Sequence, residues 1–437
     1  MTTPNSNPAN NILNTIQNNV QKFLDQGKSD AAPAFIQEGY LFAAKMRRKA
    51  GLAPDSDQPF TFNLLGKPTV LVRGAEGIRL FYDTTRMKRH GAMPKFISGP
   101  LFGAGAVHDL DGEEHAKRKA LMVSLAYDDA RVEQFKGLVA EETETMLDKW
   151  RAQEGNVYDD AAIAYGRAAF RWAGIPMTDQ EMEERATQYS RLLDTFGNPL
   201  TNVVSWRERK RLDQWAEQVI HQVRAGELAV EPDSVVAKLA ESDMDDRTAG
   251  IELQNLTRPT VAVSRFAAFA AAALVQHQDW LQRIRTAANG TLIDVPEAIA
   301  FAQEIRRTHP FVPLLPAEAT QDTEISGCPV HKGQRVLIDI LNTNTGSSWE
   351  RSGTFDPSRF LNVDAEEIET FIPQGGGSVH EGHRCPGEKI AVTALSATVA
   401  ALSRPEVQIS DDQEDTTFSW TSMLTRPRTG VRVSVSS

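Results

Sequence analysis

The chain holds only two cysteines among its 437 residues, Cys328 and Cys385. Two thiols build no disulfide framework and fit a reducing compartment, so a cytoplasmic protein is expected. Long apolar runs are missing too. The longest, Phe266–Val275, is far short of the roughly 20 residues a bilayer-crossing helix needs. No membrane anchor is expected. Positive charge is in deficit, with 47 Lys and Arg against 58 Asp and Glu and a formal net charge of −11. That balance argues against a nucleic-acid partner. It leaves room for an anionic small molecule, because a single well-placed cation is enough to hold one.

Strand-like runs are few and short, and helix formers dominate. A mainly α fold with small β-sheets is therefore expected, and neither a repeat nor a linker divides the chain, although length alone would suggest two or three domains. Residues 1–27 are polar and Asn-rich and have no signal-peptide core. They read as a polar N-terminal tail with a short helix near Ile12–Phe23, and residues 28–437 as one domain. Helices are predicted over 33–49, 113–124, 129–152, 158–173, 178–196 and 206–227. A long stretch over 250–287 is broken at Pro259. Asp294 and Glu297 have capping-box spacing and predict a helix running to Thr308. Strands are predicted at Thr61–Leu65, Thr69–Val72 and Gln334–Ile340, with a small sheet after Val407.

The chain is organised around Phe371-Ile372-Pro373-Gln374-Gly375-Gly376-Gly377-Ser378-Val379-His380-Glu381-Gly382-His383-Arg384-Cys385-Pro386-Gly387-Glu388. Its glycines permit positive-φ turns and close approach to a flat object. Cys385 precedes a run of helix formers, where a helix N-terminus and the neighbouring His383 and Arg384 favour a thiolate. Three readings are open from the residues themselves. Cys385 is a small buried thiol, a zinc ligand with His380, His383, Cys328 and His331, or an axial ligand to heme iron.

The uninterrupted run Gly382 to Glu388 resembles the cysteine-ligand loop of the cytochrome P-450 superfamily. More specifically, it is similar to the fatty-acid peroxygenase branch. Two further segments precede it in the matching order: Glu304-Ile305-Arg306-Arg307, then Phe355-Asp356-Pro357-Ser358-Arg359-Phe360, then the cysteine loop. The resemblance implies a cytochrome P-450 fold and heme b, with Cys385 as the metal ligand. It implies that Glu304, Arg307 and Arg359 form a buried charge network holding the cysteine loop. It places His115 and Lys119, four residues apart on one helix face, at the heme propionates, with Arg89 and His383 as further cations.

The central helix carries no acid–alcohol pair of the kind that delivers protons in oxygen-activating relatives. It carries Arg258-Pro259 instead. Pro259 cannot bond to the Asn255 carbonyl, so the helix is predicted to open there. Arg258 would project over an apolar face bearing Ala262 and Phe266. A surface arginine is the bland alternative. By resemblance, Arg258 binds a fatty-acid carboxylate near the iron, with Phe102, Ala262 and Phe311 shaping the pocket. His108, six residues after Phe102, matches the alkene-forming pattern, whereas hydroxylating members carry glutamine; a core histidine is the alternative.

The implied activity is hydrogen-peroxide-dependent oxidation of long-chain fatty acids. The products are Cα/Cβ hydroxy acids, terminal alkenes by decarboxylation, or both. Arg258 and His108 are the catalytic residues on this reading, and no obligate reductase partner is expected. A reductase-dependent monooxygenase of the same fold is one rival. A non-catalytic heme- or zinc-binding protein is another.

Overall fold

The computed structural model describes residues 30–195 and 201–436. The tail at 1–27, with its helix near 12–23, lies outside them.

Local chemistry sets several helix ends. Helix Val157–Ala173 starts on Asn156, whose side chain accepts from the Asp159 N–H, and stops at Gly174 with φ +71. That left-handed stop is cheap for glycine. Helix Asp179–Asp194 opens on a capping box between Thr178 and Glu181. The capping box predicted from Asp294 and Glu297 is not made. Helix Pro296–Thr308 has no side-chain cap and begins on a proline, whose missing N–H costs nothing at that position. Asp294 is 2.8 Å from Lys136 instead.

The predicted 250–287 stretch is three helices: Asp246–Ala262, Ser264–Gln276 and Gln278–Ala288. Pro259 lies inside the first of them, and the interruption falls one turn later, at Val263. There the amide bonds to the Thr260 carbonyl at 3.1 Å, a tight i→i+3 turn. Neighbours on both sides of Pro259 are buried, so packing holds the helical path despite the lost bond. The stretch Asp246–Gln276 is long and apolar enough to cross a membrane, and 83% of its most apolar window is buried inside the protein. It is the core helix of the fold.

The main sheet has five strands, in spatial order Phe60–Leu64, Lys67–Val72, Arg335–Asp339, Leu314–Ala319 and Met87–Lys88. Thr69 pairs with Arg335 in parallel, and Leu314 with Asp339 antiparallel. The tail strands Val407–Ile409 and Arg432–Val435 form a second sheet with Gly155–Asn156. The largest apolar core brings helices Val157–Ala173, Ser264–Gln276, Pro296–Thr308 and Glu388–Leu402 together. Ala267, Ala268, Ala270 and Ala271 are wholly buried, and side chains this small let helices pack closely.

Glu304 and Arg307 are both 0% exposed and joined at 2.6 Å. Arg307 also donates to the carbonyls of Asn344, Ser352 and Thr354, each at 3.1 Å. Glu304 accepts from the Asp356 amide at 2.7 Å, and Arg359 stands 3.8 Å away. The network thus fixes the 344–356 segment rather than bonding to the cysteine loop itself. Removing one member leaves a buried charge unpaired, which costs about 3–5 kcal/mol. Arg307→Ala is expected to lose about that much in chemical denaturation. A change below about 1 kcal/mol would show that the pair is solvated in solution.

Candidate active site

Cys385 is held from both sides. Its amide donates to the Gln374 carbonyl at 3.1 Å. Arg306 donates to the Gln374 side chain at 2.6 Å and to Glu388. Arg384 donates to Glu388 at 2.8 Å. Burial alone would raise the Glu388 carboxyl; Arg306 and Arg384 outweigh it and hold the group below its usual range. The clamp on this loop is therefore Arg306 with Glu388, one residue away from the arginine singled out in the sequence. The adjacent pair Arg306-Arg307 in a helix turn already placed two cations on different faces, and that signal was available.

The helix after Cys385 begins at Glu388, with Gly387 as its cap. The protein alone opposes the expected thiolate, which a bound metal ion would stabilise. Burial pushes the Cys385 thiol up, and the Gly387 N–H and Lys119 oppose that only in part. The zinc set does not assemble either. Cys328 lies 3.9 Å from the Thr61 hydroxyl and His331 lies 3.8 Å from Asp322. Among the described residues no three His, Cys, Asp or Glu converge on a metal position.

Cys385 faces a cavity of about 1080 Å³ that extends to the surface. Lys95, Lys119, Arg258, Arg335 and Arg384 line it, and among the described residues no Asp or Glu does. This holds in a chain with net charge −11. Lys119 donates to the Arg384 carbonyl. His115 stacks on His383 with centroids 4.1 Å apart, and His383 lies 3.8 Å from Asp111. Burial pulls His115 down to about 4 and Lys119 to about 8. Arg89 is not part of the wall. Its guanidinium lies 4.0 Å from the Phe81 ring and donates to the Phe81 carbonyl at 3.0 Å.

Arg258 lies at the buried side of the cavity, with 4% of its surface exposed. Nη2 donates to Asn255 Oδ1 at 2.9 Å, and Nε has no partner. Burial, helped by the nearby Arg209, pulls it down to about 9. Phe102, Ala262, Phe266 and Phe311 line the same cavity. His108 opens onto it and stacks on Phe102, centroids 4.1 Å apart. Burial, then Arg258, hold the imidazole well below its ordinary range. The surroundings favour the neutral ring.

One carboxylate ties these parts together. Glu252, buried on the helix that carries Arg258, accepts from the Val107 amide at 2.8 Å and from Arg118 at 3.2 Å. Asn255 donates to Glu252 at 3.1 Å and to the Phe102 carbonyl at 3.1 Å. The loop bearing Phe102 and His108 is thereby fastened to the turn bearing Arg258. Nothing in local sequence marked Glu252, because its partner amide is far away along the chain.

Comparisons with known proteins agree with this geometry. The family model for cytochrome P-450 matches residues 281–435. A sterol 14alpha-demethylase of Mycolicibacterium vanbaalenii is 22% identical over 385 residues, 78% of this chain and 82% of that protein. Solved structures match more fully. Ligand-free cytochrome P-450 OleT has a TM-score of 0.84 at 28% identity, covering 93% of this chain and 97% of that one. Cytochrome P-450SP alpha bound to (R)-ibuprophen gives 0.83 at 32%, over 93% and 98%. Cytochrome P-450EX alpha with myristic acid gives 0.83 at 29%, over 94% and 97%. A loop-borne cysteine under a helix-walled cavity in this fold defines a heme-thiolate protein. The chain belongs to the cytochrome P-450 family, with the CYP152 peroxygenases, a fatty-acid branch.

The residues present fit a heme. A Cβ on Gly375, at φ +97, would lie 3.2 Å from the Arg384 Cα, so glycine there lets the loop fold tightly beside Cys385. Arg384 Nη2 is buried without a partner. The purified protein is expected to contain heme b. Its ferrous carbon monoxide complex should show the red-shifted Soret band of thiolate ligation. Cys385→Ser should lose that shift, and an unaltered spectrum in the variant would assign the ligand elsewhere.

Proposed function

We propose that this protein is a hydrogen-peroxide-dependent fatty-acid peroxygenase that hydroxylates long-chain acids at Cα or Cβ, decarboxylates them to terminal alkenes, or both. One observation carries the reading. Arg258 is buried, incompletely partnered, and set in a cavity wall that has cations and apolar groups but no carboxylate. A desolvated guanidinium of this kind is matched by a ligand that brings its own carboxylate. Related structures bind such molecules: variants of OleT with arachidonic acid and P-450EX alpha with myristic acid.

Heme, when bound through Cys385, supplies an iron whose thiolate ligand favours cleavage of a peroxide O–O bond. Lys119, with the neighbouring His115 and His383, would meet its two carboxylates. Arg258 holds the substrate acid ionised and sets the distance from Cα and Cβ to the reacting centre. With no Asp or Glu in the wall, a substrate carboxylate oxygen is the base at hand. That replaces the acid–alcohol pair of a reductase-dependent monooxygenase and argues against that rival. Phe102, Ala262 and Phe311 exclude water from the carboxyl end. His108 stays neutral until an anion beside Arg258 offsets the cations that oppose its protonation. It can then exchange a proton with the substrate acid.

Arg258→Ala is expected to retain heme yet lose peroxide-driven turnover of a saturated long-chain acid. Loss of a buried charged contact of about 2 kcal/mol or more lowers kcat/KM about thirty-fold or more. Wild-type rates in this variant would place the carboxylate site elsewhere. His108→Gln is expected to move the product mixture away from alkene toward 2- and 3-hydroxy acids. A glutamine amide cannot exchange a proton in this way. Chromatography of both product sets on one acid decides it, and an unchanged ratio makes His108 a structural residue.

A further inference from the structure

The mouth of the cavity differs from the rest of the surface. Seven large hydrophobic residues stand exposed among the described residues, and four of them line this one cavity. They are Ile36 at 53%, Phe96 at 50%, Val203 at 51% and Trp206 at 43%. They come from three elements: helices Ala32–Glu38, Lys95–Phe102 and Asn202–Arg224. The elements are brought together rather than merely adjacent. A Cβ on Gly99 would meet the Trp206 ring at 2.3 Å, so glycine there lets the indole bridge two of the helices.

Charge follows the same pattern. Val203, Trp206, Arg207 and Lys210 recur at i, i+3, i+4 and i+7, which places them on one stripe of the helix. Arg207 and Lys210 are exposed, as is Lys95 beside Phe96. Among the described residues none of the three has an ion-pair partner. The rim is therefore apolar and basic on a chain of net charge −11. A helix face with Trp and aliphatic groups beside Lys and Arg is suited to lie in the interface of an anionic lipid layer.

We infer that this rim docks the protein on lipid surfaces that carry fatty-acid carboxylates, so that the acid passes from the lipid layer into the cavity. The inference rests on the fatty-acid reading above. Rim cations meet the carboxylates at the surface, while the exposed apolar groups sit among the acyl chains. The acyl chain then meets apolar wall from mouth to Arg258, with little exposure to water.

The test is flotation of the heme-loaded protein with phosphatidylcholine vesicles, with and without oleic acid, in the absence of peroxide. Expected is retention on oleate-containing vesicles that falls as salt is raised. Phe96→Ser/Trp206→Ser and Arg207→Gln/Lys210→Gln should each weaken it. About a five-fold loss per basic residue is expected at an anionic surface. Heme content serves as the check that the surface variants fold. Arg258→Ala should float like the wild type, because its side chain is inside. Absence of flotation, equal flotation on vesicles without oleic acid, or rim variants that float unchanged would each overturn the inference. Turnover of dispersed acid is assayed separately. A protein that oxidises dispersed acid but ignores vesicles removes only the docking inference. A protein that docks without turnover removes only the fatty-acid reading.

Discussion

Desolvated positive charge is the constraint on which this active site depends. Arg258 and Lys119 are buried in the wall of one cavity, and Arg209 is buried close enough to Arg258 to act on it. Taking a cation out of water is costly unless an anion or several acceptors meet it. Here the available carboxylates are spent elsewhere. Glu388 serves Arg306 and Arg384, Glu304 serves Arg307, and Asp213 serves Arg209 at 2.7 Å. What is left is a polar cavity end of one sign, to be completed by anions that arrive with ligands. Burial, with no carboxylate in contact to oppose it, pulls Arg258 down to about 9 and Lys119 to about 8, so both stay charged near neutral pH and present an unneutralised site to a ligand.

The buried arginines thus fall into two kinds. Arg306, Arg307 and Arg384 are framework: each has a carboxylate partner in contact and backbone or side-chain acceptors beyond it. Arg258 is not framework, because its contact is a neutral amide. Arg209 stands between the two kinds. It is paired with Asp213, yet Nη1 and Nη2 find no acceptor. A Cβ on Gly103, at φ +90, would lie 2.2 Å from its Nη2. That glycine allows the loop with Phe102 and His108 to settle against a buried cation, while Glu252 fastens its far side.

Much of this was legible in sequence because it is local. The helix ends at Gly174 and Thr178, the first two strands and the cysteine loop are all written in neighbouring residues. Arg258 stood out as an arginine inside an apolar helix. The remainder was not legible because it is made by residues distant along the chain. Strand Leu314–Ala319, which holds a proline, is specified by its partner Arg335–Asp339 more than by its own composition. Glu252 meets Val107, and Arg306 meets Glu388, only after folding. Arg89, read as one more cation for the heme carboxylates, stacks on Phe81 beside the cavity rather than in its wall. His108 and Cys385 were placed in the right surroundings, and burial there favours the uncharged form of each. A titration constant depends on every group packed around the atom, and sequence spacing conveys few of them.

The two ends of the cavity are built on different kinds of support. Arg258 sits on a deeply packed helix, tied through Asn255 and Glu252. The mouth is formed by the edges of short or peripheral helices. On the reading proposed here, the substrate is clamped at its head and loose at its tail. Position along the acyl chain is then counted from the carboxyl carbon, never from the methyl end. Changes at the mouth can alter which chain lengths are accepted without moving the carbon that reacts. Substrate range and site of oxidation become separable traits, free to diverge among relatives that share one anchor.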